Sequence, residues 1–371
     1  MPSSQLLSPV SLGSLQLTNR VVMAPLTRGR AGDTRIPNKY MTEYYSQRAS
    51  AGLIISEATA ISEMGYGWFG SPGVYTAAQC EGWKQVVSAV HEKGGKMFCQ
   101  LWHMGRQAHS SFNTRGCVLA PSAIRVSGKG TIRDINQNEC EYETPKEMTL
   151  DDIKETISDY GKAAAFAKEA GFDGVEIHGA NGYLIDLFLQ SSTNKRSDSY
   201  GGSVENRLRF LIQVIHSVKQ VFPSDRIGVR LSPNGAFAGM GSVDNHETFP
   251  KAAEALNEFG LAYLHVMDGL GFGFHGLCPP VTLLDMKKRF DGPIIGNITY
   301  TKDTAEGAIR TGAADLISFG RPFISNPDLV ERFTNNWPLE PDAPYTAWYG
   351  RSNNPEECRE GYTSYHPYTR G

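Results

Sequence analysis

A chain of 371 residues with 36 basic and 39 acidic side chains has a formal charge of -3 and is 40% hydrophobic, the balance of a globular enzyme and not of a disordered or fibrous chain. Without basic runs it lacks the electrostatic footprint of a nucleic-acid binder, and its longest apolar stretches, such as 53–56 and 294–295, are far too short to cross a bilayer. The length suits two average domains or one large barrel.

Residues 1–15 lack a charged region followed by an apolar one, so a cytoplasmic location is expected. Cysteines at 80, 99, 117, 140, 278 and 358 are too widely spaced for a zinc site or an iron–sulfur cluster and are expected as free thiols. No metal site is expected.

In chain order, short β-leaning apolar runs occur at 21–24, 53–56, 96–101, 174–178, 228–231, 263–267, 293–296 and 316–319, with amphipathic segments between them. That alternation predicts an α/β fold, a (β/α)8 TIM barrel, over the whole chain 1–371 as a single domain. Between the third and fourth runs, 149–170 predicts a helix, with Thr149 as N-cap, Asp151 and Asp152 in the first turn, Ile153, Ile157, Ala164 and Ala167 inward, and Gly171 ending it. Between the fourth and fifth, Leu208, Leu211, Ile212, Ile215, Val218 and Phe222 fall on one helix face. Two stretches break the pattern: 104–148, read as a lid or hairpin insertion after strand three, and the Tyr-, Pro- and Gly-rich tail after Pro338.

Barrels deliver chemistry at the C-terminal ends of their strands. The polar residues expected there are Thr27, Gln100, His178, Asn181, Arg230, Asn297 and Arg321. His178, Asn181 and Tyr183 form the densest group, in HGANGY. If the chain turns into a helix after Asn181, His and Asn can grip one oxygen. A carbonyl conjugated to an alkene gains negative charge on that oxygen when hydride adds, and a donor aimed at it is worth roughly 2.7–4 kcal/mol. Tyr183 is a suitable weak acid for the α-carbon, contributing ~10²–10⁴ in rate. Taken singly, each of the three is more often a structural residue; the constellation carries the reading. Arg230 needs either a polar cofactor, such as the N1–C2=O edge of a flavin, or a neighbouring carboxylate. Gly296 and Asn297, with Gly320 and Arg321, lie where barrels hold a phosphate, although a glycine after a strand is also an ordinary tight turn. No GxGxxG follows a strand, so nicotinamide is expected as a visiting substrate.

NRVVMAPLTR (19–28), EATAIS and GYGWFGSPGVYT (57–76), CQLWHMGR (99–106), HGANGYLIDLFLQSSTNKRSDSYGGSVENRLRF (178–210), GVRLSP (228–233), GN (296–297) and FGRPFISNPDL (319–329) together resemble the Old Yellow Enzyme family, in its plant- and yeast-type class that includes oxophytodienoate reductases. The resemblance implies non-covalent FMN, reduced by NADPH or NADH, and reduction of α,β-unsaturated carbonyl or nitro compounds, so the expected partners are small-molecule enones, enals and nitroalkenes and the expected state a monomer or weak homodimer. It implies that Thr27 bonds the flavin, that Ala24, Pro25, Leu26 and Ala58 line the ring, that Gln100 and Arg230 hold its pyrimidine edge, and that Gly296, Asn297, Gly320 and Arg321 take the phosphate. His178 and Asn181 would then bind the substrate carbonyl and Tyr183 would protonate, with Trp102, Tyr349 and Tyr66 shaping the pocket. Asn181 places the chain in the His–Asn subset, and the segment 269–278, with Phe272 and Phe274, departs from the family pattern. The cysteine spacing argues against relatives that carry an iron–sulfur cluster. The lack of a strand-end Lys argues against an aldolase-type barrel, and a catalytically inactive scaffold is the remaining alternative.

Overall fold

The computed structural model describes residues 4–127, 131–271, 273–350 and 352–369. Eight parallel strands close on themselves: β1 (Val21–Met23), β2 (Leu53–Ile55), β3 (Met97–Trp102), β4 (Gly174–Gly179), β5 (Ile227–Leu231), β6 (Tyr263–Met267), β7 (Ile294–Asn297) and β8 (Leu316–Phe319). Each pairs with the next, and β8 returns to β1, which makes the (β/α)8 barrel. The eight predicted runs are these strands, with shifted ends. The ladders carry β3 on to Trp102, β4 to Gly179 and β7 to Asn297, so His178 lies inside its strand and not at its end.

Outside run α1 (Lys39–Ser46), α2 (Ala77–Glu92), α3 (Leu150–Glu169), α4 (Leu184–Leu189), α5 (Val204–Lys219), α6 (Asn245–Asn257), α7 (Leu283–Lys287), α8 (Lys302–Arg310), α9 (Arg321–Ser325), α10 (Leu329–Asn335) and, in the tail, α11 (Tyr345–Trp348). The start of α3 is a full capping box: Thr149 Oγ1 accepts from the Asp152 N–H while the Asp152 carboxylate accepts from that of Thr149. Its end is Gly171 at φ 91, a left-handed position that suits glycine. Ile153, Ala164 and Ala167 of α3 and Leu208, Leu211, Ile215 and Val218 of α5 are buried in the layer between helices and strands; Ile157 and Ile212 are only partly so.

Inside the barrel a second apolar cluster gathers Val22, Leu53, Ile55, Phe98, Tyr263, Ile295 and Leu316. Its lower end is stoppered by Leu12, Leu15 and Leu17 from an antiparallel hairpin, Val10–Leu12 with Leu15–Leu17, that the periodicity of the sequence did not single out. The Tyr263 ring lies across β5 at Gly228, where an added Cβ would stand 2.2 Å from it.

The insertion 104–148 holds two short turns, a parallel pairing of Leu119–Ala120 with Lys146–Glu147, and an antiparallel hairpin of Thr131–Arg133 with Glu139–Glu141. In the segment 269–278, Phe274 bridges to Gly235, and Phe272 lies outside the described residues. Among the described residues no helix is long and apolar enough to cross a membrane. All six cysteines are free.

Gly228→Ala should overpack the barrel interior and cost about 1–3 kcal/mol. A urea midpoint that falls with unchanged slope would show this, and an unmoved midpoint would show that Tyr263 yields at no cost.

Candidate active site

Period-two alternation points Gln100 of β3, Glu176 and His178 of β4, Arg230 of β5, His265 of β6 and Ser318 of β8 into the upper barrel, where all six are buried. They form a connected polar floor. Glu176 accepts Gln100 Nε2 on one carboxylate oxygen at 2.7 Å and meets His265 Nδ1 on the other at 2.8 Å, while His265 Nε2 reaches Ser318 Oγ at 2.7 Å. Burial works against the Glu176 carboxylate, but His265, Arg230 and Gln100 outweigh it and hold its pKa below the usual value. Burial lowers that of His265. The pair is therefore a carboxylate beside a neutral imidazole, and Gln100, with Nε2 committed to Glu176, turns its amide oxygen away from that bond.

Arg230 donates to Asn297 Oδ1 at 2.8 Å, and its Nε is buried without a partner. The expected alternative of a direct carboxylate pair does not form: among the described residues no carboxylate lies within salt-bridge distance of it, though Glu176 is close enough to oppose the loss of charge that burial favours.

Above the floor, the Tyr183 ring stands edge-on between His178, at 5.0 Å between centroids, and Trp102, at 5.1 Å. His178 Nδ1 accepts the Ala180 N–H at 3.3 Å, which puts the ring proton on Nε2. Burial, then Arg230 and His265, push its pKa well below the ordinary value, so the imidazole stays neutral. Burial, then Tyr349 and Tyr142, raise that of Tyr183, which keeps its proton.

Asn181 is left-handed at φ 60, with its N–H on Ser232 Oγ at 2.8 Å and its carbonyl accepting from Gln107 Nε2 at 2.8 Å. The next N–H, of Gly182, goes to Asp186 Oδ2 at 2.8 Å, and Gln190 Nε2 fills the other oxygen of Asp186 at 2.9 Å. With the backbone spoken for on both sides, the Asn181 amide is left free. Asp186 was hidden in the apolar run 183–189; a lone carboxylate in such a run is the signal that could have found it.

Ala58, Trp102 and Ile132 share one apolar cluster with Tyr183, Tyr142 and Trp68, so the 131–141 hairpin lies over the rings. Beside them a cavity of about 230 Å³ is lined by Trp68, Tyr345, Tyr349 and Ile132 among others. Ala24 and Leu26 meet Gly320, where an added Cβ would stand 3.1 Å from Leu26. Pro25 is buried between them, and Thr27 follows half-buried with its hydroxyl unbonded. Three of the expected site residues also hold contacts of their own within the protein. Tyr66 packs on Phe112 and under Arg35. Asn297 spends its amide on Arg230 and Ser318 and its N–H on Asp268, which leaves it and the buried Gly296 little to offer a phosphate. Arg321 lies over the Trp348 ring at 4.6 Å. The following residues, Ile298 and Thr299, are both left-handed, at φ 86 and 62, and the N–H groups of 298–300 make no hydrogen bond among the described residues. Successive N–H groups in such a turn form an anion-accepting concavity.

A closed parallel barrel with a fixed cation, an outward amide and unpartnered donors at its mouth defines an oxidoreductase class that carries a flat, electron-rich cofactor across the barrel end. The chain belongs to the NADH:flavin oxidoreductase / NADH oxidase family, whose model matches residues 5–340. It is 38% identical over 343 residues to 12-oxophytodienoate reductase 2 of Arabidopsis thaliana, covering 91% of this chain and 90% of that one. Among solved structures, the old yellow enzyme homologue of Zymomonas mobilis superposes with a TM-score of 0.91 at 43% identity, covering 98% of this chain and 99% of the other. Morphinone reductase in complex with tetrahydroNAD gives a TM-score of 0.90 at 40% identity, covering 99% and 98%.

Burial raises the Asp186 pKa to about 6. A raised carboxylate favours the native state below its unfolded pKa and loses that contribution as pH rises through the folded value. Stability should therefore decline between about pH 4 and about pH 6, and Asp186→Asn should remove part of that decline, the buried Asp268, raised likewise to about 6, keeping its own share. Thermal unfolding at the two pH values measures it; an unchanged pH dependence would remove Asp186 as the titrating group.

Proposed function

We propose that the protein is an FMN-dependent NAD(P)H:alkene oxidoreductase that reduces the C=C bond of α,β-unsaturated carbonyl or nitro compounds, with Tyr183 as proton donor. The observation that carries this reading is a set of polar groups at one end of the barrel that have no hydrogen-bond partner among the described residues: His178 Nε2, the Asn181 amide, the Tyr183 hydroxyl and Arg230 Nε.

The residues suit a flavin. Arg230 offers a buried, unpartnered N–H to an edge that becomes negative on reduction, and Gln100 presents its amide beside it. Thr27 supplies a free hydroxyl, Ala24, Pro25, Leu26 and Ala58 an apolar lining, and Gly320, Arg321 and the N–H groups of 298–300 the phosphate end. FMN held by these residues would supply the hydride chemistry, from NADPH or NADH to the β-carbon of the alkene.

The chain's own groups do the rest. His178 Nε2–H and the Asn181 amide point two neutral donors at the substrate oxygen, which gains negative charge as the β-carbon is reduced. Neutrality of His178 matters: a donor that keeps its proton stabilises the oxyanion without transferring to it. Tyr183, held protonated by burial, gives its proton to the α-carbon. The hairpin 131–141 and the aromatic side chains keep water from the mouth. We further read 1–371 as one functional unit with 104–148 as its lid, acting on small molecules as a monomer or weak homodimer in the cytoplasm.

The purified protein should be yellow and release FMN on denaturation; a colourless preparation that stays so after addition of FMN sinks the assignment. Tyr183→Phe should leave flavin reduction by nicotinamide nearly intact and slow enone turnover by ~10²–10⁴. Stopped-flow measurement of the two half-reactions separates these, and equal loss in both would remove Tyr183 as the acid.

A further inference from the structure

Three arginines, Arg28, Arg30 and Arg48, are buried around the stacked rings of Tyr44 and Tyr362, whose centroids are 4.2 Å apart. The carboxylate in their midst, Glu57, is occupied by the N–H groups of Arg28 and Gly29 and by the Tyr45 hydroxyl. Cations buried without a carboxylate are costly unless other acceptors meet them. Arg48 meets the carbonyls of Tyr44, Phe323 and Ile324, whereas Arg28 and Arg30 meet backbone carbonyls of the C-terminal segment, which lies beyond the residues that match the family model. Arg28 donates to Trp348 O, Ala347 O and Gly361 O at 2.9, 3.0 and 2.9 Å. Arg30 donates to Trp348 O at 2.7 Å, Ala347 O at 2.9 Å and Cys358 O at 3.4 Å.

Ala347 and Trp348 end α11, so these are last-turn carbonyls that the helix itself cannot satisfy. The planar fork of arginine meets several of them at once, which a point charge does not. The guanidinium of Arg30 also lies over Tyr362 at 4.7 Å. The backbone closes the same contact. Gly350 N–H donates to Arg28 O at 2.8 Å, and a Cβ on Gly350 would stand 2.4 Å from Gly29 O. Between the gripped carbonyls and Gly350 sits Tyr349, whose ring meets Trp68 at 5.1 Å and lines the mouth cavity with Tyr345.

We propose that Arg28 and Arg30 are positioning residues for substrate binding: by gripping the carbonyls of Ala347 and Trp348 they hold the C-terminal segment against the barrel and set Tyr345 and Tyr349 as a wall of the substrate cavity. The inference rests on reading that cavity as the substrate site. Neither arginine touches substrate. They lie in the loop that carries Thr27, so one loop serves the cofactor from its start and the substrate wall from its end.

Three variants of the holoenzyme test it: Arg30→Gln removes the fork, Gly350→Ala displaces the segment while leaving every guanidinium, and Tyr349→Ala removes the wall residue alone. Each is measured for FMN content, for tryptic cutting at the exposed Arg359 followed by intact mass, and for KM and kcat with cyclohexenone. Arg30→Gln and Gly350→Ala should each speed cutting at Arg359 and raise KM by about tenfold or more, with FMN content retained and kcat little changed. Tyr349→Ala should raise KM without speeding the cutting. If Arg30→Gln misfolds, Gly350→Ala still decides. A segment that stays protected with unchanged KM in both clamp variants overturns the proposal. If instead the clamp variants loosen the segment and Tyr349→Ala leaves KM unchanged, the reading of the cavity as the substrate site fails.

Discussion

A guanidinium without a carboxylate in contact, buried at the end of a barrel strand, is the constraint around which the upper barrel is arranged. Arg230 keeps its charge against burial because Glu176, one strand away, keeps its own. Glu176 in turn is ionised because Gln100 and His265 take both carboxylate oxygens. One hydrogen-bond chain thus orients an amide, holds a buried imidazole in place and leaves one side of a cation unsatisfied. An electron-rich edge placed against that side completes the arrangement, so the polar floor is organised before any ligand arrives.

The mouth depends on a second buried carboxylate. Asp186 draws in the Gly182 N–H while Ser232 takes that of Asn181, and the chain makes its left-handed turn between strand and helix at that point. The turn sets Tyr183 beside His178. Floor and mouth are separate networks joined through β4, which carries Glu176 and His178 two residues apart.

Much of this was legible in the sequence, and what was not has physical reasons. The eight strands showed because parallel strands buried on both faces read as apolar runs. The α3 cap showed because Thr149 and Asp152 stand three apart. His178, Asn181 and Tyr183 showed because they crowd into six residues. Glu176, His265 and Ser318 did not: each is an isolated polar residue flanked by apolar ones, and only closure of the barrel brings the three strands together. The bond from Arg230 to Asn297 was not legible because a side chain at a strand end reads the same whether it points at a ligand or at a neighbouring strand. The contacts of Tyr66 with Arg35 and Phe112 were not legible because these residues are distant in sequence. The lower hairpin was missed because its two strands are each three residues long, too short to show a period.

That lower hairpin settles how traffic reaches the barrel. With Leu12, Leu15 and Leu17 driven into its base and apolar side chains packed above them, the described residues close the rear of the barrel. On the proposed function, electron donor and electron acceptor would share the open end, each leaving before the other enters. Turnover in such a molecule alternates between two visitors, and an excess of either one obstructs its counterpart.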